Sequence, residues 1–395
     1  MKRSIQFLAW FFIIIGGLIS VYFFVSTSID DYWIWGINRI DFTTTGQFGD
    51  FVGGVVGTIF ALAGTLLIFL SFYEQTSQNK REAFESAFFE MIHLHRENIG
   101  EMNYMKFDVN SREMQTSENR KVFMVIFGEF LECYREVKRF SNSKNVEDYI
   151  LPRHREHLEK LIKNNNPKID IIELAIIDIA YNIVFFGIGD EGEIVLRHSF
   201  QKRYNHFYFY GLIRYMKLKP KRENVVRWKK WETLFAMNYR DFKRVNQEFY
   251  NYRKHLSKDL LSAEAIELVY EIEFVKYYGG HQHRLGHYFR HLFQTYKYLN
   301  YHPDLDDKEK YFYGKTLRAQ LSTYEQALLF INSISNLGMK WEFSPEIDLE
   351  STTENDIKKS KLITRYNLIK NLPGYHLFGL RYKTYYPDVK YESEE

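Results

Sequence analysis

Two long uncharged stretches dominate the start of the chain. The first covers residues 5–25 and the second covers residues 51–73, and neither contains a charged side chain. A helix needs about 20 apolar residues to cross the hydrocarbon core of a bilayer. The pattern therefore predicts two transmembrane helices joined by a short loop at 26–50. A signal peptide is the competing interpretation of the first stretch, but its length and its aromatic residues favour a retained helix.

The charges that flank these stretches predict their orientation. Lys2 and Arg3 precede the first stretch, and Lys80 and Arg81 follow the second. Loops rich in Lys and Arg stay in the cytoplasm, whereas the 26–50 loop holds four Asp and one Arg. We expect a multi-pass protein with both termini cytoplasmic and an external loop, in which residues 1–75 form the membrane anchor and residues 76–395 a cytoplasmic domain.

Small residues recur every four positions where the second stretch begins. Gly49, Gly53 and Gly57 would share one face of a helix. Small residues at this spacing let two helix backbones approach closely in lipid. The pattern predicts either homo-oligomerisation through this face or packing against the first helix, which offers Gly16 and Ser20.

Residues 76–395 show helical periodicity over most of their length, so the fold class is mainly α. Residues 103–120 and 343–360 are polar and predict loops, residues 187–220 are ambiguous, and residues 374–388 alternate enough to predict a short β-hairpin. Helical patterns cover residues 121–139, 147–163, 169–186, 224–259, 264–278, 281–300 and 322–337.

Composition excludes several classes of function. The chain has 53 Lys and Arg against 50 Asp and Glu, so it is not a polycation that binds nucleic acid by bulk charge. Its one cysteine excludes a disulfide scaffold and a cysteine-rich metal site. The phosphate-binding loop, dinucleotide fingerprint, nucleophile elbow and zinc-protease motifs are absent from the sequence. The sequence predicts no cofactor.

The strongest candidate for chemistry lies in the stretch 279–291. Arg284 and His291 are seven residues apart and return to nearly the same helix face, and His287 lies between them. An arginine can hold a phosphate while a neighbouring imidazole moves a proton, which could cleave RNA through its own 2′-hydroxyl without metal. The arginine, six residues and histidine resemble the motif of HEPN-type ribonucleases, although Leu285 departs from the usual polar residue.

Two alternatives to catalysis remain open for this stretch. His283, His287 and His291 follow one another at intervals of four and could together bind a metal ion. The same side chains could also be polar groups bonded to neighbouring helices.

The stretch 214–230 is rich in basic residues interleaved with aromatic ones. Such a mixture can hold phosphates and stack on single-stranded RNA, can lie against anionic lipid headgroups, or can be a solvated face. The candidate binding residues are Lys217, Lys219, Lys221, Arg222, Arg227, Lys229 and Lys230.

The segment that contains Ser322 shows a helix start and a buried polar residue. Ser322 followed three residues later by Glu325 is a capping box. Asn332 falls among apolar positions and requires a hydrogen-bond partner, for which the histidine helix is one candidate.

Five blocks follow one another along the chain: residues 46–54, 88–95, 180–189, 286–290 and 320–330. In this order they resemble the bacterial phage abortive infection proteins of the AbiC type. The resemblance implies defence against phage by harming or arresting the infected cell, with an unknown phage trigger, and it supplies no active site. Together with the residue patterns above, we expect an inner-membrane protein whose partners are the bilayer, a second copy of the chain and, for a ribonuclease, RNA.

Overall fold

The computed structural model of the chain is mainly helical and divides into two compact units, residues 1–89 and 90–395. The described residues are 2–29, 42–108, 111–255, 261–268, 274–342, 353–374 and 376–394.

Both uncharged stretches of the first unit are helical. Helix α1 covers Lys2–Ile29. Helix α2 (Phe42–Phe51) continues through a π-helical turn (Val52–Val56) into α3 (Gly57–Gly100). Two helices in the described part of the chain are long and apolar enough to cross a membrane, and no more than 17% of either apolar window is buried.

The predicted loop at 26–50 is wrong over its second half. Residues 30–41 lie outside the described part of the chain, but residues 42–50 are helical. Aromatic contacts with the first helix stabilise this extension, since the ring of Phe23 lies 4.1 Å from that of Phe51 and 5.3 Å from that of Phe48. Apolar packing therefore extends the helix into a segment whose charges predict a loop.

The second unit is a helical body with one β-hairpin, formed by β1 (Asn103–Asp108) and β2 (Glu113–Glu118). Its core lies where α4, α6 and α14 pack together, and α6 is buried continuously from Leu174 to Phe185. The helices of the body are α4 (Lys121–Phe140), α5 (Pro152–Asn165), α6 (Ile171–Phe186), α7 (Asp190–Phe200), α8 (His206–Lys217), α9 (Val225–Ala236), α10 (Tyr239–His255), α11 (Ala263–Leu268), α12 (Gln282–Tyr301), α13 (Asp307–Arg318), α14 (Thr323–Ile334), α15 (Glu354–Ser360), α16 (Leu362–Tyr366) and α17 (Tyr382–Tyr385).

The helices predicted at 121–139, 169–186, 281–300 and 322–337 are confirmed to within a few residues. The predicted capping box at Ser322 is also present, because the Ser322 side chain accepts from the Glu325 amide and Glu325 reaches back.

The predictions of a loop at 103–120 and of a hairpin at 374–388 are both wrong. The polar segment 103–120 forms the β1–β2 hairpin instead of a loop, because its cross-strand pairs satisfy the backbone although few of its side chains are apolar. The described residues of the segment 374–388 contain one bridge, between Leu377 and Leu380, and then the short helix α17. Tyr382, Tyr385 and Tyr386 are buried in the core instead of lining a strand pair, whereas Phe378 is 62% exposed.

Other boundaries differ because local caps end or start helices that periodicity does not detect. The pattern at 224–259 splits at Asn238, whose side chain accepts from the Asp241 amide and starts α10. Helix α13 is absent from the predicted list and begins at a complete capping box formed by Asp306 and Glu309.

One ambiguous segment is resolved and two further segments need correction. The 187–220 segment, which the sequence leaves ambiguous, forms two helices, α7 and α8. Residues 354–360 are helical where a loop is predicted, and residues 343–352 of that predicted loop lie outside the described part of the chain. The 264–278 pattern is helical only up to Leu268 among its described residues.

A buried carboxyl near the C-terminal end of the core gives a testable pH dependence. Glu342 accepts hydrogen bonds from the backbone amide (2.7 Å) and hydroxyl of Thr364. Burial outweighs these bonds and raises the pKa of Glu342 from 4.5 to about 7. The folded state therefore holds a proton that the unfolded chain releases. The resulting contribution to the free energy of unfolding is fully present below pH 4.5 and is lost as the pH rises to 7.

Glu342→Gln is expected to remove that loss. The difference in unfolding free energy between the variant and wild type should increase by about 3 kcal/mol as the pH rises from 4.5 to 7. The reason is that the amide oxygen of the variant still accepts from Thr364 but carries no charge. Denaturant unfolding of the full chain in detergent at several pH values measures this difference. The exposed Glu159→Gln serves as the control. Parallel pH profiles for wild type and Glu342→Gln would contradict the assignment.

Candidate functional site

Close backbone packing between two glycine-containing turns places the first candidate residue, His281. Gly280 has φ +88°, and a Cβ there would lie 2.7 Å from the carbonyl oxygen of Phe186. Gly187 has φ +81°, and a Cβ there would lie 2.7 Å from the backbone carbon of Gly279. Only glycine fits at both positions, because the backbone conformation is left-handed and the space is filled. The crossing fixes His281 at the N-cap of α12.

His281 forms a buried ion-pairing contact with Glu129 of α4. The imidazole Nε2 lies 2.9 Å from a Glu129 carboxylate oxygen, and each side chain is only 2% exposed. The Tyr104 hydroxyl donates to the other oxygen at 2.8 Å, and the Lys106 ammonium lies 3.5 Å from it. Burial alone would raise the pKa of Glu129, but the hydrogen bonds and charges of these partners lower it to about 2. We name Glu129, His281, Tyr104 and Lys106 the Glu129 cluster.

Arg284 completes this arrangement from the next turn of α12. One guanidinium nitrogen of Arg284 lies 3.4 Å from Nδ1 of His281, and the guanidinium carbon lies 4.8 Å from the centre of the Tyr104 ring. These contacts keep the imidazole in the orientation in which Nε2 faces the Glu129 carboxylate.

A second buried cluster surrounds Lys219. Its ammonium donates to Glu132 at 2.9 Å and to Glu136 at 2.6 Å, and Tyr278 donates to Glu136 at 2.8 Å. The Lys219 side chain is 2% exposed, and the Tyr277 ring centre lies 3.8 Å from its ammonium. Burial raises the pKa of Glu136 in spite of the lysine, whereas Lys219 and Arg222 outweigh burial and lower the pKa of Glu132.

A small cleft connects the two clusters. It encloses about 290 Å³ of space, part of it open to solvent, between the β-hairpin, α4 and the segment that follows α8. Arg222 at its edge pairs with Glu132 at 2.9 Å, and Glu129 reaches its floor. A small polar ligand in this cleft could contact Glu129 of the first cluster and Arg222 beside the second. Charged and aromatic lining residues include Tyr104, Lys106, Glu129, Lys221, Arg222 and Tyr277.

The three residues predicted as catalytic lie on α12 with separate partners. Arg284 donates from Nε to the Asn103 carbonyl at 2.8 Å, and His291 places Nε2 at 2.9 Å from the Met91 carbonyl. Seven residues correspond to about 10 Å along a helix axis, so one phosphate would have to bridge that distance. His287 is exposed, and burial lowers the pKa of His291.

The metal alternative for the histidine helix gains no support. Within the ranges that the structure describes, no group of three His, Cys, Asp or Glu side chains is placed to hold a metal ion. The His283 side chain is exposed, as is that of His287.

The predicted basic stretch divides into internal and surface residues. Lys217 pairs with Glu193 at 2.5 Å, and Lys219 and Arg222 pair with acidic residues of α4. Arg227 lies over the Phe274 ring at 4.5 Å. The remaining members of the stretch, Lys221, Lys229 and Lys230, lie partly or fully at the surface.

Two of the ladder glycines have open space beside them among the described residues. A Cβ at Gly49 or Gly53 would meet no described atom within 4 Å, whereas one at Gly16 would lie 3.1 Å from Ile59 of α3. The π-helical turn between Gly49 and Gly57 also shifts their relative positions around the axis, since its hydrogen bonds run from i to i+5. Homo-oligomerisation through this face stays a prediction.

Sequence reasoning missed most of the Glu129 cluster. Glu129 and Glu136 are seven residues apart on the buried face of α4, and a carboxylate on an apolar face is a signal that a partner exists. His281 lies within the candidate stretch 279–291 but is not among the predicted catalytic residues. Its position directly after two glycines is the signal that could have identified it. Asn332 finds its partner in the Tyr181 hydroxyl of α6 at 3.0 Å, not in the histidine helix.

Comparison with known proteins adds a family to this geometry. Neither the curated proteins nor the solved structures contain a match. A family model described as putative phage abortive infection protein matches residues 280–345, which begin beside His281 and include α12, α13 and α14. The match confirms the resemblance inferred from the sequence: residues 280–345 of this chain are similar to the putative phage abortive infection proteins.

Proposed function

We propose that this protein is an antiphage protein of the abortive infection type, anchored in the bacterial inner membrane by α1 and α3. Its helical body, residues 90–395, lies in the cytoplasm and carries the sensing or effector function. The family match supports the defence role. The charges that flank the apolar stretches support the cytoplasmic placement of the body.

Exposed apolar surface is the observation that carries the membrane proposal. Leu18 of α1 is 64% exposed, and Ile68 and Phe72 of α3 are 59% and 62% exposed. Soluble proteins rarely expose continuous apolar patches of more than a few hundred Å², because burying each Å² gains about 25 cal/mol. Lipid removes this cost along both helices.

Between a ribonuclease and a non-enzymatic effector, the geometry favours the second. Arg284 and His291 each bond to a backbone carbonyl of a different element, Asn103 of the hairpin and Met91 of α3. Such bonds position α12 against its neighbours and occupy the groups that the ribonuclease hypothesis needs. We propose that the body acts through binding and conformational change, and that the Arg–His pair has a positioning role.

RNA cleavage by the purified full chain distinguishes the two hypotheses. We expect that wild type, Arg284→Ala, His287→Ala and His291→Ala incubated with cellular RNA and a metal chelator will show equal background cleavage. Cleavage by wild type that His291→Ala abolishes, with circular dichroism and melting temperature unchanged, would restore the ribonuclease hypothesis.

Phage challenge tests the defence role itself. Some members of a phage panel are expected to form fewer plaques on cells that express the full chain than on cells that lack it. At high multiplicity the infected culture should stop growing, and at low multiplicity it should survive, because infected cells are lost before phage are released. Survival of the infected cells themselves, or a full phage burst from each, would contradict an abortive mechanism.

A further inference from the structure

The exposed face of α9 combines aliphatic and basic side chains. Val225 is 56% exposed and Val226 is 71% exposed at the start of the helix, and Lys229 and Lys230 follow at spacings of three and four. Residues at these spacings are neighbours on a helix surface. The opposite face is buried through Trp231 and Leu234. Two valines and two lysines therefore share one outward stripe.

The segment before α9 extends this stripe. The Lys221 amide donates to the Val275 carbonyl at 3.2 Å, and Pro220 forms a bridge with Lys276. Val275 is 70% exposed. The exposed Val275 and Lys221 thus lie side by side close to the start of α9. We name Lys221, Val225, Val226, Lys229, Lys230 and Val275 the α9 face.

We infer that the α9 face binds the anionic headgroup surface of a lipid bilayer. Lysines attract phosphate groups of anionic lipids, and adjacent exposed aliphatic side chains insert at the boundary between headgroups and acyl chains. Lys side chains also reach headgroups while their methylene stems lie along apolar surface. The inference rests on the proposed membrane anchoring, which keeps the chain at such a surface.

Single-stranded RNA fits the same face less well. Sequence-tolerant RNA binding needs exposed aromatic rings on which bases stack. Trp231 is 3% exposed, and Trp228 donates from its ring nitrogen to Glu232 at 2.7 Å while its ring faces Arg222. The exposed groups beside the lysines are valines, which insert into lipid but offer no stacking surface.

Among the side chains that the structure describes, the acidic residues near the face are fewer than its lysines. Glu223 is exposed within the turn before α9, and Glu232 lies one turn beyond Lys229 and accepts from Trp228. The cations of the stretch that pair internally, Lys217, Lys219 and Arg222, do not contribute free charge. We expect binding to depend on anionic lipid and to weaken with salt.

A fluorescent probe on the full chain in lipid nanodiscs tests the inference. The one cysteine, Cys133, is completely buried, so Val226→Cys can be labelled selectively with bimane. Lipid with a nitroxide at the headgroup should quench the probe in nanodiscs that contain phosphatidylglycerol, and quench it less in phosphatidylcholine alone. A probe at Phe207→Cys is the positional control, because Phe207 is 82% exposed and lies on α8, outside the α9 face.

Charge reversal supplies the matched control. Lys229→Glu with Lys230→Glu should abolish the quenching at Val226→Cys, whereas Lys160→Glu with Lys163→Glu on the surface of α5 should leave it unchanged. If the chain stays in the membrane pellet during alkaline carbonate extraction but the Val226→Cys probe is not quenched, the inference is overturned and the anchoring stands. Equal quenching with and without anionic lipid would also overturn it.

Two other results would reject the lipid surface. Oligouridylate that shifts the emission of the Val226→Cys probe and competes with lipid would identify an RNA surface instead. Release of the chain by alkaline carbonate would disprove the anchoring, and the inference that rests on it would fall as well.

Discussion

Replacing Glu129 with leucine is expected to lower the free energy of unfolding of the body by about 3–5 kcal/mol. The change removes the carboxylate that accepts from Tyr104 and His281 and lies 3.5 Å from Lys106. These donors stay buried or half-buried without their acceptor. The free energy lost by leaving them unpaired exceeds the free energy gained by burying the leucine side chain. Denaturant unfolding at neutral pH, followed by tryptophan fluorescence, measures the loss.

The pH dependence of this loss follows from the lowered pKa of Glu129. Because the folded pKa is about 2 against an ordinary value of 4.5, the stabilisation is present above pH 4.5 and disappears as the pH falls towards 2. Wild type and Glu129→Leu should therefore converge in acid. Glu159→Leu, at an exposed ion pair with Arg155, is the control and should change stability by less than about 1 kcal/mol. Equal losses for the two variants would contradict the role of the cluster.

Two arginines in the second apolar stretch are expected to prevent α3 from crossing the membrane and to abolish antiphage protection. Leu62 and Leu67 are 48% and 40% exposed on α3. Each arginine near the centre of a membrane helix costs about 2.5–3.5 kcal/mol of insertion free energy. In Leu62→Arg with Leu67→Arg, α1 should still hold the chain in the membrane, but the body should no longer return to the cytoplasm. A C-terminal alkaline phosphatase should therefore become active, and plaque formation should return to normal.

The control for this variant lies on the same helix. Gln75→Arg with Gln78→Arg adds the same charge beyond the apolar stretch, at exposed positions, and should leave the phosphatase fusion inactive and protection unchanged. If the phosphatase fusion of the Leu62 and Leu67 variant stays inactive and the variant still protects, α3 does not act as a membrane span.

Helices with strong periodicity could be predicted from the sequence, because a continuous apolar face requires burial whatever the partner is. This holds for α6, α12 and α14. Elements whose stability comes from pairing or capping could not, and the hairpin at 103–118 shows why. Its strands are stabilised by backbone hydrogen bonds between them, to which the apolar pattern contributes little.

The candidate site was only partly predictable, because its residues meet across long separations. Glu129 and His281 are 152 residues apart, and Arg284 and Asn103 are 181 apart. Periodicity shows that Glu129 lies on a buried face and that Arg284 and His291 share a side of α12. It does not show that Arg284 turns towards the hairpin while His291 turns towards α3.

Carbonate extraction combined with topology reporters tests the central claim most directly, which is that two apolar helices hold a cytoplasmic helical body at the inner membrane. The full chain is expected to remain in the membrane pellet at alkaline pH. A C-terminal fluorescent protein should be bright, and a C-terminal alkaline phosphatase should be inactive, if the tail lies inside the cell as we propose. Release of the chain by carbonate, or an active phosphatase fusion, would contradict the account.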